Sequence, residues 1–366
     1  MKFGKQAQGQ TAVIAALLAT ALPVTTSADA TVECNTGIGT KTTECGQSST
    51  TGTGARSTAH GASSVAGDVS TAVGADANAP GVRAVAFGTA SNANGLSTTA
   101  VGTNATAVQV GGIAVGSESF VNGDGSIGIG QAAFAVSAAG GSIAIGGSTT
   151  LQSGVRLGVI ATGNHAIAIG RSASAEQTGA IAIGGSADNV PTGAFARGTA
   201  AIAIGEDSVA TDSHSIAIGS SAGAIGRGAI AIGGSTPGGG GGPGANFAGA
   251  IAIGENAYTT NRGVALGADA LSEGAGSFAL GADARATAAQ SGAIGQFAFA
   301  SNTGATAIGF NANAAGVQAT SFGRSANAQG DFSTAFGHFT QATAAETTAL
   351  GVDARAEALR AVAVGA

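Results

Sequence analysis

The chain has 366 residues and lacks most of what an ordinary catalytic domain is built from. Charged residues make up 9% and aromatics 4%, with no tryptophan, one methionine and one tyrosine. A formal net charge of −6 excludes the basic surface that nucleic acid requires. Low charge and few aromatics are compatible with disorder. Against that stand 44% hydrophobic residues in strict order and only five prolines, which point to folded material. Cysteine is nearly missing as well: only Cys34 and Cys45 occur. The four histidines, His60, His165, His214 and His338, are scattered and none sits near a cysteine, so no metal-ligand spacing can be assembled. No nucleophile, base or metal cluster emerges, and the expectation is a non-enzyme without cofactors.

Long hydrophobic runs are absent except near the N-terminus. Lys2 and Lys5, the apolar run Thr11 to Leu22, and Ala28-Asp29-Ala30 have the layout of a secretory signal, residues 1–30, with the mature chain starting at Thr31. A membrane-spanning helix would need about 20 apolar residues, more than this run offers. In an exported chain Cys34 and Cys45 are expected to form a disulfide rather than remain free thiols. Residues 31–69, rich in Thr, Ser and Gly, read as an N-terminal cap or lead-in.

What the sequence does contain is repetition. Glycine numbers 64, but not at every third place, which excludes collagen. Ser215-Ile216-Ala217-Ile218-Gly219 has close copies at Ser142–Gly146, Ala180–Gly184, Ala229–Gly233, Ser277–Gly281 and Ser333–Gly337. From Gly74 to Gly365 the closing glycine returns every 14 residues over most of the chain, the mark of a solenoid. The three residues before it alternate with period two and carry β-branched residues, so they form a strand. Small residues recur at the third and fifth places after it, as at Ala77 and Ala79 or Ala312 and Ala314, and form a second short strand. Two strands and two turns use up the repeat, so each unit is one coil of a flattened parallel β-roll. About twenty coils at ~4.8 Å make a rod of about 95 Å. Ile216 and Ile218 are expected inside against the small second strand, with Ser215 and Ala217 outside; with the facing reversed, the case for association through the apolar face grows. Where the spacing lengthens, side loops are expected at about 147–163, 185–198 and 234–248, the last holding a glycine run between Pro237 and Pro243.

These motifs resemble the head domain of YadA-like trimeric autotransporter adhesins over roughly residues 70–366. The resemblance implies a left-handed roll, a homotrimer, a place on the outer membrane surface of a Gram-negative bacterium and a role in virulence. It also implies adhesion to matrix proteins such as collagen or to other cells. A complete member carries a neck, a stalk and a membrane anchor. Here the sequence stops at Ala366 inside a repeat, so the chain is expected to be the head of a longer product, with a secreted head as the alternative.

Other patterns admit duller explanations. Asp76, Asp207, Asp269, Asp283 and Asp353 recur at the second place after the glycine, but a calcium roll repeats every nine residues, so these read as turn residues. Gly123-x-Gly125-x-x-Gly128 matches a nucleotide fingerprint in letters only. Thr306, Thr320, Thr334 and Thr348 form a file that supports an alternative function, a secreted ice-binding or purely structural solenoid; the simpler account is a β-branched requirement. Phe120, Phe134, Phe297, Phe299, Phe310 and Phe339 fall at places that should not face the interior, and are candidates for subunit or ligand contacts.

Overall fold

In the computed structural model, residues 34–35, 41–52, 56–147, 149–150, 156–185, 193–235 and 242–365 are described. The signal segment, its cleavage point and most of the glycine run lie outside them. From Thr43 to Val364 two parallel sheets run through the described residues, joined by short turns, in about 21 coils, and no helix occurs among the described residues. The first sheet is formed by the strand before each closing glycine, the second by the strand after it. Pairing is in register at every step: Ile202, Ala203 and Ile204 pair with Ile216, Ala217 and Ile218, which pair with Ile230, Ala231 and Ile232. In the second sheet Val209 and Ala210 pair with Gly223 and Ala224.

The sides of the first strand are opposite to expectation. Ala217 and Ser215 are fully buried, whereas Ile216 and Ile218 stand on the outer face, half-buried. The second strand faces as expected, with Ala222 and Ala224 inside. Four inward places per coil are therefore occupied almost throughout by Ala, Ser or Thr. The reason is thickness, and Val121, which with Val159 is one of two inward valines among the described residues, shows it at its own place. Val121 points inward where most coils have Ala, and the two inward places beside it are the glycines Gly112 and Gly128. A Cβ at Gly112 would lie 3.2 Å from Val121 Cγ1, and one at Gly128 2.8 Å from its Cγ2. At this place one valine is matched by two glycines, and two isoleucines in every coil would need far more room than that.

So thin an interior removes little apolar surface, about 0.8 kcal/mol for each buried methyl. The backbone supplies the continuity instead. Turns bond to their own coil, as Ser215 N donates to Asp212 O at 3.2 Å, and also to the coil before, as Ser221 N donates to Glu206 O at 2.8 Å and His214 N to Thr199 O at 2.9 Å. Ser221 and His214 hold left-handed backbones, φ 56 and 60, one at each corner of the coil. Many inward hydroxyls return to turn carbonyls, as Ser215 Oγ donates to Asp212 O at 2.6 Å and Ser208 Oγ to Gly205 O at 2.9 Å, which meets the cost of burying them, whereas those of Ser119, Ser321 and Ser333 have no partner. Gly219 has φ 121, and a Cβ there would run into the carbonyl of Gly233 in the next coil, so the closing glycine is a requirement of both turn and stack.

The roll begins before the regular spacing does. Thr43–Cys45 pairs in parallel with Thr58–His60, and that strand with Thr71–Val73, while Gly46 and Gly61 take the same turn at φ 140 and 137. Residues 43–52 and 56–69 thus belong to coils of the roll, with unequal spacing that hides them in the sequence. Cys34–Asn35 lies antiparallel against the first of these strands, and the Cys34 and Cys45 sulfurs are bonded across that pair.

The two extra residues between Gly130 and Gly146 fall at the corner after Phe134–Val136, while among the described residues the three long insertions share the other corner, between the closing glycine and the second strand. Each time, a pair of glycines closes the first strand, Gly146-Gly147, Gly184-Gly185 and Gly233-Gly234, and a single glycine, Gly158, Gly193 or Gly242, precedes the second strand. Thr149–Thr150 and Arg156–Leu157 form an antiparallel pair within the first of these segments. Ile160–Ala161, Phe195–Ala196 and Gly244–Ala245 are ordinary second-sheet strands, so the insertions are shorter than spacing alone indicates.

Candidate functional site

Because the interior takes only small side chains, everything with chemical character is placed outside, and the two faces differ. On the first sheet two columns run the length of the rod, represented by Ile216 and Ile218. From Thr71 to Val364 these columns contain Ile, Val, Leu, Phe and Thr, one Gly, and no charged residue. Glycine stands at Gly292 because the ring of Phe278 in the coil before lies over it. Phe322 and Phe336 stack at 4.8 Å between centroids, 6° apart. Thr306, Thr320, Thr334 and Thr348 are in register on this face, beside Ile308, Phe322, Phe336 and Leu350. It is a single threonine file flanked by bulky apolar groups, not a flat hydroxyl array.

The outward column of the second sheet is variable. It reads Asn78 and Asn92, whose amides bond at 3.3 Å, then Phe120 and Phe134, whose rings stack at 5.4 Å. Further along, Phe195 carries the Arg197 guanidinium 4.6 Å above its ring, and Arg197 also pairs with Glu176 at 3.5 Å. In the last third the column is Arg285, Phe299, Asn313, Asn327 and Gln341.

Beside that stretch lies a shallow trough of about 380 Å³. Phe297 and Phe299 wall one end, Phe339 and Gln341 stand at the other, and Asn311, Asn313, Ser325 and Asn327 lie between them. Phe297 and Phe339 are corner residues with left-handed backbones, φ 59 and 57, and are 46% and 45% exposed. Phe310 sits edge-on to Phe297 at 5.9 Å and receives Arg324 over its ring at 5.7 Å. The trough joins three of the six phenylalanines singled out in the sequence, with Phe310 against its wall; Phe120 and Phe134 stand apart from it. The amides were not singled out. Their signal is the shared offset, since Phe299, Asn313, Asn327 and Gln341 all stand four places after a closing glycine.

The remaining candidates resolve into turns. Asp76, Asp207, Asp269, Asp283 and Asp353 all occupy left-handed corners, φ 53 to 57, which Asp tolerates better than most residues. His165 and His214 occupy such corners as well, and His60 is exposed on the first-sheet face. No group of three or more metal-ligating side chains occurs among the described residues. Gly123, Gly125 and Gly128 belong to a turn and the strand after it.

Comparison with known proteins matches the YadA head domain repeat at residues 67–91, 93–119, 161–187, 196–222, 261–284, 286–312, 314–340 and 342–366. No curated protein matches. Among solved structures, the crystal structure of the collagen-binding domain of Yersinia adhesin YadA is 22% identical, covering 51% of this chain and 80% of that one, with a TM-score of 0.24.

Proposed function

The chain belongs to the YadA head domain family, and on that premise we propose that it is the adhesive head of a bacterial surface protein. The family is one of adhesins and not an enzyme class. The observation that carries the proposal is the division of labour between the faces. An uncharged, in-register apolar face on the first sheet supports self-association, here as a homotrimer, while the variable second sheet is left for ligands. The targets are extracellular matrix proteins, collagen among them, or other cell surfaces. Each coil contributes a weak contact, and several copies of a long rod multiply such contacts into avidity. The signal-like layout expected for residues 1–30 and the family resemblance support export to the cell surface. The ice-binding alternative has less support, because its threonine file is single and bordered by Phe322 and Phe336.

Two measurements test this. Sedimentation equilibrium of the full chain is expected to give three times the monomer mass, and monomer alone would sink the association. Solid-phase binding to collagen and to cultured cells is expected to be saturable. Thermal hysteresis without any binding would favour the ice-binding reading.

A further inference from the structure

We propose that the trough between Phe297 and Phe339 is a binding subsite for an uncharged saccharide; this rests on the adhesive reading above and names the ligand class of one of its surfaces. The walls come first. Phe297 and Phe339 hold left-handed corners, where the corresponding residues of neighbouring coils are Asp283, Asn311, Ser325 and Asp353. A bulky side chain is uncommon in that conformation, and these two rings bury nothing of the interior. The interior gains nothing from them, whereas a ligand with apolar faces would.

The rings are also propped. Phe297 rests edge-on against Phe310, Phe339 lies 4.1 Å from the His338 ring, and Arg285 stands 5.9 Å over Phe299. Propped aromatic walls lose little freedom on binding.

The floor selects the ligand. Asn313 Nδ2 donates to Asn327 Oδ1 at 3.1 Å, which orients that pair, and the side-chain amides of Asn311 and Gln341 have no hydrogen-bond partner in the structure. Each amide offers donors and an acceptor together, as a sugar hydroxyl does, while the C–H faces of a sugar ring suit aromatic walls. No charged side chain lines the trough itself; the cations near it, Arg285 over Phe299 and Arg324 over Phe310, lie over the wall rings, and the sialylated and sulfated arms of the test measure whether they reach an anionic glycan. A proline-rich peptide would use the rings but leave the run of amides poorly matched.

The test applies the full chain to immobilised neutral, sialylated and sulfated oligosaccharides and to a Gly-Pro-Pro triple-helical peptide. Retention on neutral oligosaccharides is expected. Phe297→Asn and Phe339→Asn, which suit a left-handed backbone better than Phe, should each weaken it about tenfold or more with the melting temperature kept or raised. Gln341→Ala should weaken it too, and Phe120→Asn, far along the rod, should not. Failure to retain any neutral oligosaccharide, retention on the peptide alone, or unchanged affinity in Phe339→Asn would overturn the subsite. Binding to cells and to collagen, measured in parallel, separates the two proposals. If it persists while the saccharide arm fails, the adhesin stands and the subsite falls; if the chain adheres to nothing, both fall.

Discussion

Val121 occupies the space that a side chain on Gly128 would need: a Cβ there would come within 2.8 Å of its Cγ2. The two residues lie in successive coils and on opposite sheets, so each is sized by the other. Gly128→Ala is expected to destabilise the chain by roughly 1–3 kcal/mol through overpacking. Adding Val121→Ala restores the alanine pairing found in most other coils and should recover most of that loss. Denaturant melts of the two single variants and the double variant check this; equal midpoints for Gly128→Ala and the parent would show spare room inside.

The facing of the first strand gives a second prediction. Ala217→Ile places a large group where the interior admits only small ones and is expected to cost roughly 1–3 kcal/mol or more. Ser215→Ala should cost only about 1 kcal/mol, the worth of its hydrogen bond to Asp212 O, since Ala201 and Ala229 fill the same place. Thermal unfolding of the two variants under one set of conditions ranks them; the opposite order would return the isoleucines to the interior.

Gly219→Val combines an unsuitable backbone with a collision against the next coil. In a stack held by neighbour contacts the damage should stay local. Amide hydrogen exchange is expected to lose protection around Ile202–Ile204 and Ile230–Ile232 while Thr306–Ile308 remains protected, and adhesion should persist. Complete loss of adhesion from this one change would identify a specific site where a repeat has been read.

Charge on the outer face should act on assembly instead. Ile216→Asp leaves the interior untouched, because the side chain points away from it, yet sets a carboxylate within the apolar columns. The expected result is a lower mass by sedimentation equilibrium with little loss of β-structure by circular dichroism. An unchanged mass would mean that copies associate elsewhere.

Much of this was legible before any coordinates. The 14-residue return of glycine determines parallel coils in register, alternation determines strands, and a repeat this short leaves no room for a helix. The wrong facing of Ile216 and Ile218 shows the limit of such reasoning. Alternation says that Ser215 and Ala217 share one side and the isoleucines the other, but it is indifferent to which side is inside. The preference for apolar burial then points the wrong way. Only the room between the two sheets decides, and the buried alanines and serines of both strands show it to be small.

The sequence by itself determined the period, the strands, the turning glycines and the family. Tertiary structure decided what the period cannot carry: the interior too thin for Ile, the coils already formed at Gly46 and Gly61, the corner shared by the three long insertions, and the trough. Phe297, Asn313 and Phe339 are far apart along the chain and meet because stacking places each coil about 4.8 Å above the last, turning a fixed offset in sequence into a continuous surface.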